Sequence, residues 1–170
     1  EALAWHESGT AWTVLGVVDV SALCAAYLDD VAVEEYFGDG RCALMSGQGT
    51  RPGKGVRVDG GYLVSGQWQF NSGSAISTHI HTAILGDDGR MLMATLPVEK
   101  VEYIDNWDVL GLRASASHDY RIDGVFVADT HTYDPVTPIQ RRGGAMFQAG
   151  LAYLASMQHV VQAAVDRYGR

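Results

Sequence analysis

Cysteine, proline and positive charge are all scarce in this sequence, and each shortage removes a class of protein. Two cysteines in 170 residues, Cys24 and Cys42, have no CxxC or CxxH neighbour, so neither a disulfide framework nor a zinc knuckle is encoded. That usage fits a reduced, cytoplasmic setting. Only 12 Lys and Arg stand against 20 Asp and Glu, a net charge of −8. The balance opposes binding to nucleic acid or an anionic membrane surface. No apolar run reaches the ~18 uninterrupted residues expected of a membrane span, and no export signal is recognisable. Four prolines against 20 glycines suggest many turns rather than an extended linker. The remainder, 47% apolar and 19% charged, is the composition of a globular chain. A start at Glu1 and an end at Arg170 in mid-pattern read as a piece of a longer protein.

Punctuation divides the chain. Residues 1–38 lack strand alternation: Ser8 or Thr10 can cap one helix, Ser21 a second through SALCAAYL, and Asp29 a third, DDVAVEEYF. Gly38 and Gly40 are placed to end it. From 39 to 135 short β-type runs alternate with turn residues, with Cys42 in one of them. Tyr62, Val64, Trp68 and Phe70 fall on one face of a strand from Gly61 to Phe70, and the VDGG before it is hairpin chemistry. A second hairpin turns at Asp87 to Gly89, between strands near His79 to Leu85 and Met91 to Leu96. Val101 to Ile104 and His118 to Val127 supply two more strands, the last bulged at Asp123 and Gly124. Beyond Pro135, residues 136–170 turn helical, with an apolar stripe including Met146, Leu151 and Val161. The fold class expected is α+β: a central antiparallel β-barrel or sandwich flanked by α-helices.

Two stretches carry possible chemistry. In GQWQFNSG (Gly66 to Gly73), Trp68 or Phe70 can hold a flat ring while Asn71, Ser72 and nearby amides bond its heteroatoms. The same residues also fit an ordinary strand with core aromatics and a polar turn. In DNWDVLGLRASASHDYRIDGVFV, Arg113 can contact an anionic ring system or a carboxylate, or simply pair with Asp108 or Asp119. His79 and His81 share a strand face, but no third metal ligand is evident. SGQGTRPGKG (Ser46 to Gly55) lacks P-loop spacing, and no GxSxG or HExxH occurs.

Taken in order, these stretches resemble the acyl-CoA dehydrogenase superfamily, and more closely its two-component flavin-dependent monooxygenases, the branch of the 4-hydroxyphenylacetate hydroxylases. VDGGYLVSGQWQFNSG is similar to GGYxVSGxWxFxSG, the long Arg113 segment to DTWxxxGLRGTGSHDxxxxxVFV, and HESGTAWTVLG to the branch's helix motif. The resemblance implies an acyl-CoA dehydrogenase type middle domain at 39–135. Residues 1–38 become the end of an N-terminal helical domain, and 136–170 the start of a C-terminal one. It implies flavin contacts from Phe70, Asn71, Ser72, Gly73, Arg113 and Ser46, with Trp107 matching the DTW tryptophan as a substrate-side residue. Ala114 and Ala116 depart from the family's glycines, and His79 and His81 from its usual residues.

The activity so implied is hydroxylation of an aromatic or related small molecule by reduced FMN or FAD and O₂, the flavin arriving from a separate reductase. A homotetramer is the implied assembly, and this piece alone is expected to be inactive. The rival readings are flavin-dependent α,β-dehydrogenation of an acyl-CoA and a truncated, inactive remnant.

Overall fold

The computed structural model describes residues 2–143; the apolar stripe from Met146 onward lies outside them. The chain opens with helices α1 (Ala2–His6), α2 (Ser8–Tyr27) and α3 (Asp30–Phe37). Where two helices are expected, α2 is continuous. Glu7 caps it, its carboxylate accepting from the Gly9 and Thr10 amides, a satisfying partner for otherwise orphaned N–H groups. Ser21, expected as a cap, lies mid-helix: its hydroxyl donates to the Val17 carbonyl at 2.7 Å and accepts from the Met45 amide at 2.9 Å. It therefore pins the helix to the sheet. Asp29 caps α3 as anticipated, accepting from the Val31 amide at 3.1 Å. The left-handed residues after α3 are Asp39 and Gly40, whereas Gly38 keeps an ordinary φ of −73°.

By length and mean hydropathy (1.5), α2 is long and apolar enough to cross a membrane, contrary to the reading of the bare sequence. Within this fold it packs on β1 and on the turn at Arg113–Ser115, and Val17, Cys24, Ala26 and Tyr27 are buried. One side of the helix is thus held against the fold, while Val14 and Val18 on another stay exposed.

Among the described residues eight strands follow: β1 (Met45–Ser46), β2 (Gly53–Val58), β3 (Gly61–Asn71), β4 (His79–Gly86), β5 (Met91–Pro97), β6 (Glu102–Ile104), β7 (His118–Ala128) and β8 (Thr132–Tyr133). They form an open sheet in the order β6-β7-β3-β2-β4-β5-β8, with β1 attached to β4. Most pairs are antiparallel as expected; β1 and β2 run parallel to β4. Both hairpins form at the anticipated turns. In β7, Asp123 and Gly124 bulge opposite Ser65, whose hydroxyl accepts from the Gly124 amide. Cys42, expected in a strand, lies in the irregular segment before β1.

The strands curl round one core. Trp68 on β3 stacks on Tyr120 of β7 at 5.2 Å, and its indole N–H donates to the Ala83 carbonyl of β4. The Tyr120 hydroxyl donates to Thr82 at 2.8 Å, bridging β7 to a strand that is not its neighbour in the sheet. Tyr62, Val64, Ile80, Ile84, Leu92, Leu96 and Ile122 are among the other members of the cluster. Full burial of side chains this large contributes about 1.5–3 kcal/mol each.

Candidate functional site

Between α2 on one side and β1, His81 of β4, Met93 of β5 and Tyr133 of β8 on the other lies a cavity of about 430 Å³. Its polar floor comes from β1 and the loop after it. Ser46 is buried, yet its hydroxyl has no partner among the described residues. Gly47 follows at φ +150°, where a Cβ would lie 1.9 Å from the His81 carbonyl oxygen. Only glycine lets the loop approach β4 this closely.

The end of β3 supplies the aromatic wall through a break in strand alternation. The register against β7 shifts between Trp68 and Asn71, and Phe70 takes φ +62°. Phe70 therefore leaves the Tyr62, Val64 and Trp68 face on which simple alternation puts it, and is 62% exposed on the cavity side. Asn71 turns inward in its place. It is fully buried, and neither side-chain polar atom has a partner among the described residues.

Ser72 lines the cavity and is held from two sides. Its oxygen accepts from the Trp12 indole N–H at 3.0 Å and lies 2.7 Å from the Ser117 hydroxyl. The Ser115 hydroxyl donates to the Leu112 carbonyl at 2.8 Å and sits 2.7 Å from Ser117. One hydroxyl carries one hydrogen, which fixes the direction of this chain. Ser115 spends its hydrogen on Leu112, so Ser117 donates to Ser115 and Ser72 donates to Ser117. Ser72 is left with one lone pair and presents an acceptor to the cavity.

Gly73 has a different task. Its amide donates to the Ser115 carbonyl at 2.7 Å, its φ is +89°, and a Cβ there would sit 2.5 Å from Val17 of α2. The Thr13 hydroxyl, in contact with the Gly9 and Ala114 carbonyls, binds the same turn to α2.

The residues anticipated from sequence thus separate. Phe70, Ser72 and Ser46 line one cavity. Asn71 and Gly73 lie behind it. Arg113 is exposed on its turn; its carbonyl accepts from the Ala116 amide, and its guanidinium has no hydrogen bond or ion pair among the described residues. Trp107 meets Phe70 edge to face at 6.3 Å and donates to the Leu112 carbonyl, without lining the cavity.

Sequence reasoning passed over Tyr133, whose hydroxyl is 2.8 Å from His81 Nε2. Both line the cavity. Burial pushes the His81 pKa down to about 4. Burial, with smaller contributions from Cys24 and Tyr27, raises that of Tyr133 well above the usual tyrosine range. The pair is therefore neutral at pH 7. No cluster of three or more metal-ligating side chains occurs among the described residues.

No family profile matches the chain. Individual proteins do. The pigment production hydroxylase of Rhodococcus erythropolis is 34% identical over 133 residues, which are 71% of this chain and 33% of the hydroxylase. The flavin-dependent monooxygenase oxygenase subunit HsaA of Mycobacterium tuberculosis is 34% identical over 122 residues, 69% of this chain and 31% of that one. In fold, the chain resembles XiaF from Streptomyces sp., solved in complex with FADH2 and glycerol. The TM-score is 0.79 at 23% identity, covering 96% of this chain and 43% of XiaF.

Fold and sequence together define an α+β chain of the acyl-CoA dehydrogenase-like class. The chain belongs with the oxygenase subunits of two-component flavin-dependent monooxygenases, and spans about a third of the length of the curated relatives it matches.

Proposed function

We propose that this chain is the flavin-facing part of a monooxygenase oxygenase component, and that its cavity receives the ring of a reduced flavin. The observation carrying this is that Phe70 and Ser72, from the end of β3, and Ser46, from β1, line one cavity. The residues fit such a ring. Phe70 offers an aromatic surface, Ser46 a buried hydroxyl in need of a partner, and Ser72 an acceptor. A reduced flavin carries N–H at N5, whereas the oxidised ring has only a lone pair there. An acceptor at Ser72 suits the reduced form.

Bound reduced flavin supplies the chemistry, reaction with O₂ and oxidation of an organic substrate. The chain's share would be to orient the ring, with Ser72 as a hydrogen-bond acceptor beside it and with Leu15, Val20 and Met93 as an apolar wall against water. Arg113, exposed and unpaired among the described residues, is assigned to the flavin side through the part of the protein outside this chain. Asn71 and Gly73 set the shape of the turn, and Trp107 buttresses Phe70.

The substrate is an aromatic or related small molecule, and the flavin is FMN or FAD delivered by a separate reductase. The full-length protein is assigned to the cytoplasm as a homotetramer. Residues 1–38 close its N-terminal helical domain, 39–135 form the flavin-binding middle domain, and 136–170 begin the C-terminal helices.

The test is Ser72→Ala in the full-length enzyme, supplied with reduced flavin and O₂. H₂O₂ released per flavin oxidised should rise several-fold, because the ring loses a polar anchor worth about 1 kcal/mol. Unchanged release would remove Ser72 from the site.

A further inference from the structure

We propose that residues 134–142 form a strap closing one side of the cavity, latched to the C-terminus of α2 by Arg142, and that opening of this latch limits ligand exchange. This rests on reading the cavity as a flavin site and adds a control on access to it.

The strap is a wall with space on both sides. It leaves β8, whose Thr132 and Tyr133 pair with Ala94 and Met93 of β5. Pro135 and Pro138 then line the cavity already described, whereas Asp134, Thr137, Ile139 and Arg141 line a second cavity of about 390 Å³. A segment with open volume front and back lacks the close packing that holds an interior element in place. Local bonds stiffen it instead. The Asp134 carboxylate accepts from the Val136 and Thr137 amides and from the Thr137 hydroxyl, and the two prolines fix φ within it. Such a piece moves as a unit about its ends.

The far end carries the attachment. The last carbonyls of a helix lack partners inside it and bear the negative end of its dipole, and α2 has no basic residue in its own last turn. The strap supplies both donors and positive charge. The Arg141 and Arg142 amides donate to the Ala26 carbonyl at 2.9 and 3.2 Å, and the Arg142 guanidinium donates to the Ala25 and Leu28 carbonyls at 3.1 and 3.0 Å. Arg141 pairs with Asp29 at 3.3 Å and Arg142 with Asp30, both at the start of α3. These ion pairs are partly exposed and contribute little. The firmer grip is the guanidinium on the carbonyls, because a charged donor makes a bond about twice as strong as a neutral one.

A ligand that passes only when the strap swings out enters and leaves in proportion to the open fraction. Weakening the latch raises that fraction, so association and dissociation accelerate together while Kd holds. A residue that merely props the site behaves differently: its loss speeds dissociation alone and weakens binding.

The experiment measures both rate constants by anaerobic stopped flow, in the full-length protein, with whichever of reduced FMN and reduced FAD binds. Arg142→Ala should raise both about tenfold, the worth of a charge-assisted hydrogen bond, with Kd kept within about twofold. Asp29→Asn/Asp30→Asn, which keeps the α3 cap and the arginine, should raise both about twofold, and repeats the test should Arg142→Ala lose its fold. Hydrogen exchange without flavin gives a second readout. The amides of residues 141 and 142 should exchange about tenfold faster in Arg142→Ala, while those of β4 and β5 keep wild-type protection. Faster dissociation with unchanged association, or no change in either rate, overturns the strap. Failure of wild type to bind either flavin sinks the flavin reading, and exchange then decides the latch: local acceleration at 141 and 142 sustains it, and unchanged exchange overturns it.

Discussion

Phe70 takes a left-handed backbone conformation at φ +62°, which costs a non-glycine residue about 1–2 kcal/mol. Such strain persists only where its surroundings enforce it, and it tends to gather at functional positions. Here it turns an aromatic out of the core and into a cavity. Ala116 is left-handed too, at φ 43°, ψ 52°, in the turn that holds Ser115 and Ser117. This is one of the two positions where the resemblance to the monooxygenases leads one to expect glycine. Ala116→Gly in the full-length protein should relieve about 1 kcal/mol, read as a rise in Tm of about 1–2 °C. An unchanged or lower Tm would mean that the turn is not strained as described.

At this scale the sequence was informative about identity and weak about direction. Ser46, Phe70 and Ser72 could be picked out by motif, but strict alternation assigns Phe70 to the core face. The shift between Trp68 and Asn71 that reverses it depends on pairing with β7, 45 and more residues away. Tyr133 gave no local signal at all, since β8 has only two residues.

Among the elements, the decisive contact is between α2 and the turn after Leu112. Trp12 and Thr13 of the helix, Ser72 and Gly73 at the end of β3, and Ala114, Ser115 and Ser117 of the turn form one bonded unit. Its hydrogen-bond direction makes Ser72 an acceptor. Ser117→Ala removes the group that takes the Ser72 hydrogen and frees that hydrogen to point into the cavity. Anaerobic titration of full-length Ser117→Ala with reduced and oxidised forms of one flavin should then show the reduced-to-oxidised affinity ratio falling about fivefold. An unaltered ratio would show that the serine chain does not set the polarity at Ser72.

The Asp29 cap and both hairpins were legible because their chemistry is local: Asp29, the VDGG turn and the Asp87 to Gly89 turn act within a few residues, whereas the cap of α2 falls on Glu7 rather than on Ser8 or Thr10. Ser21 misled because a serine inside a helix looks like a cap until its true partner, the Met45 amide, is known. Strands β1 and β8 were too short to announce themselves, and β2 is interrupted by Gly53 and Gly55.

For the whole molecule, the α+β class and the mostly antiparallel sheet followed from periodicity and turn spacing, whereas its curl did not. The curl depends on Trp68, Tyr120 and Thr82 meeting across strands that are not neighbours, and no local pattern encodes that. Cavity and curl are linked, since the inner face of β4 packs the core while His81 on its outer face lines the cavity. That this outer cavity receives a reduced flavin is tested by anaerobic titration of the full-length protein and of the Phe70→Ala/Ser72→Ala double variant with reduced FMN and reduced FAD. The expected result is saturable binding of one of the two flavins, one per chain, weakened at least tenfold in the double variant. Absence of binding by the wild type, or equal affinity in the variant, would contradict it.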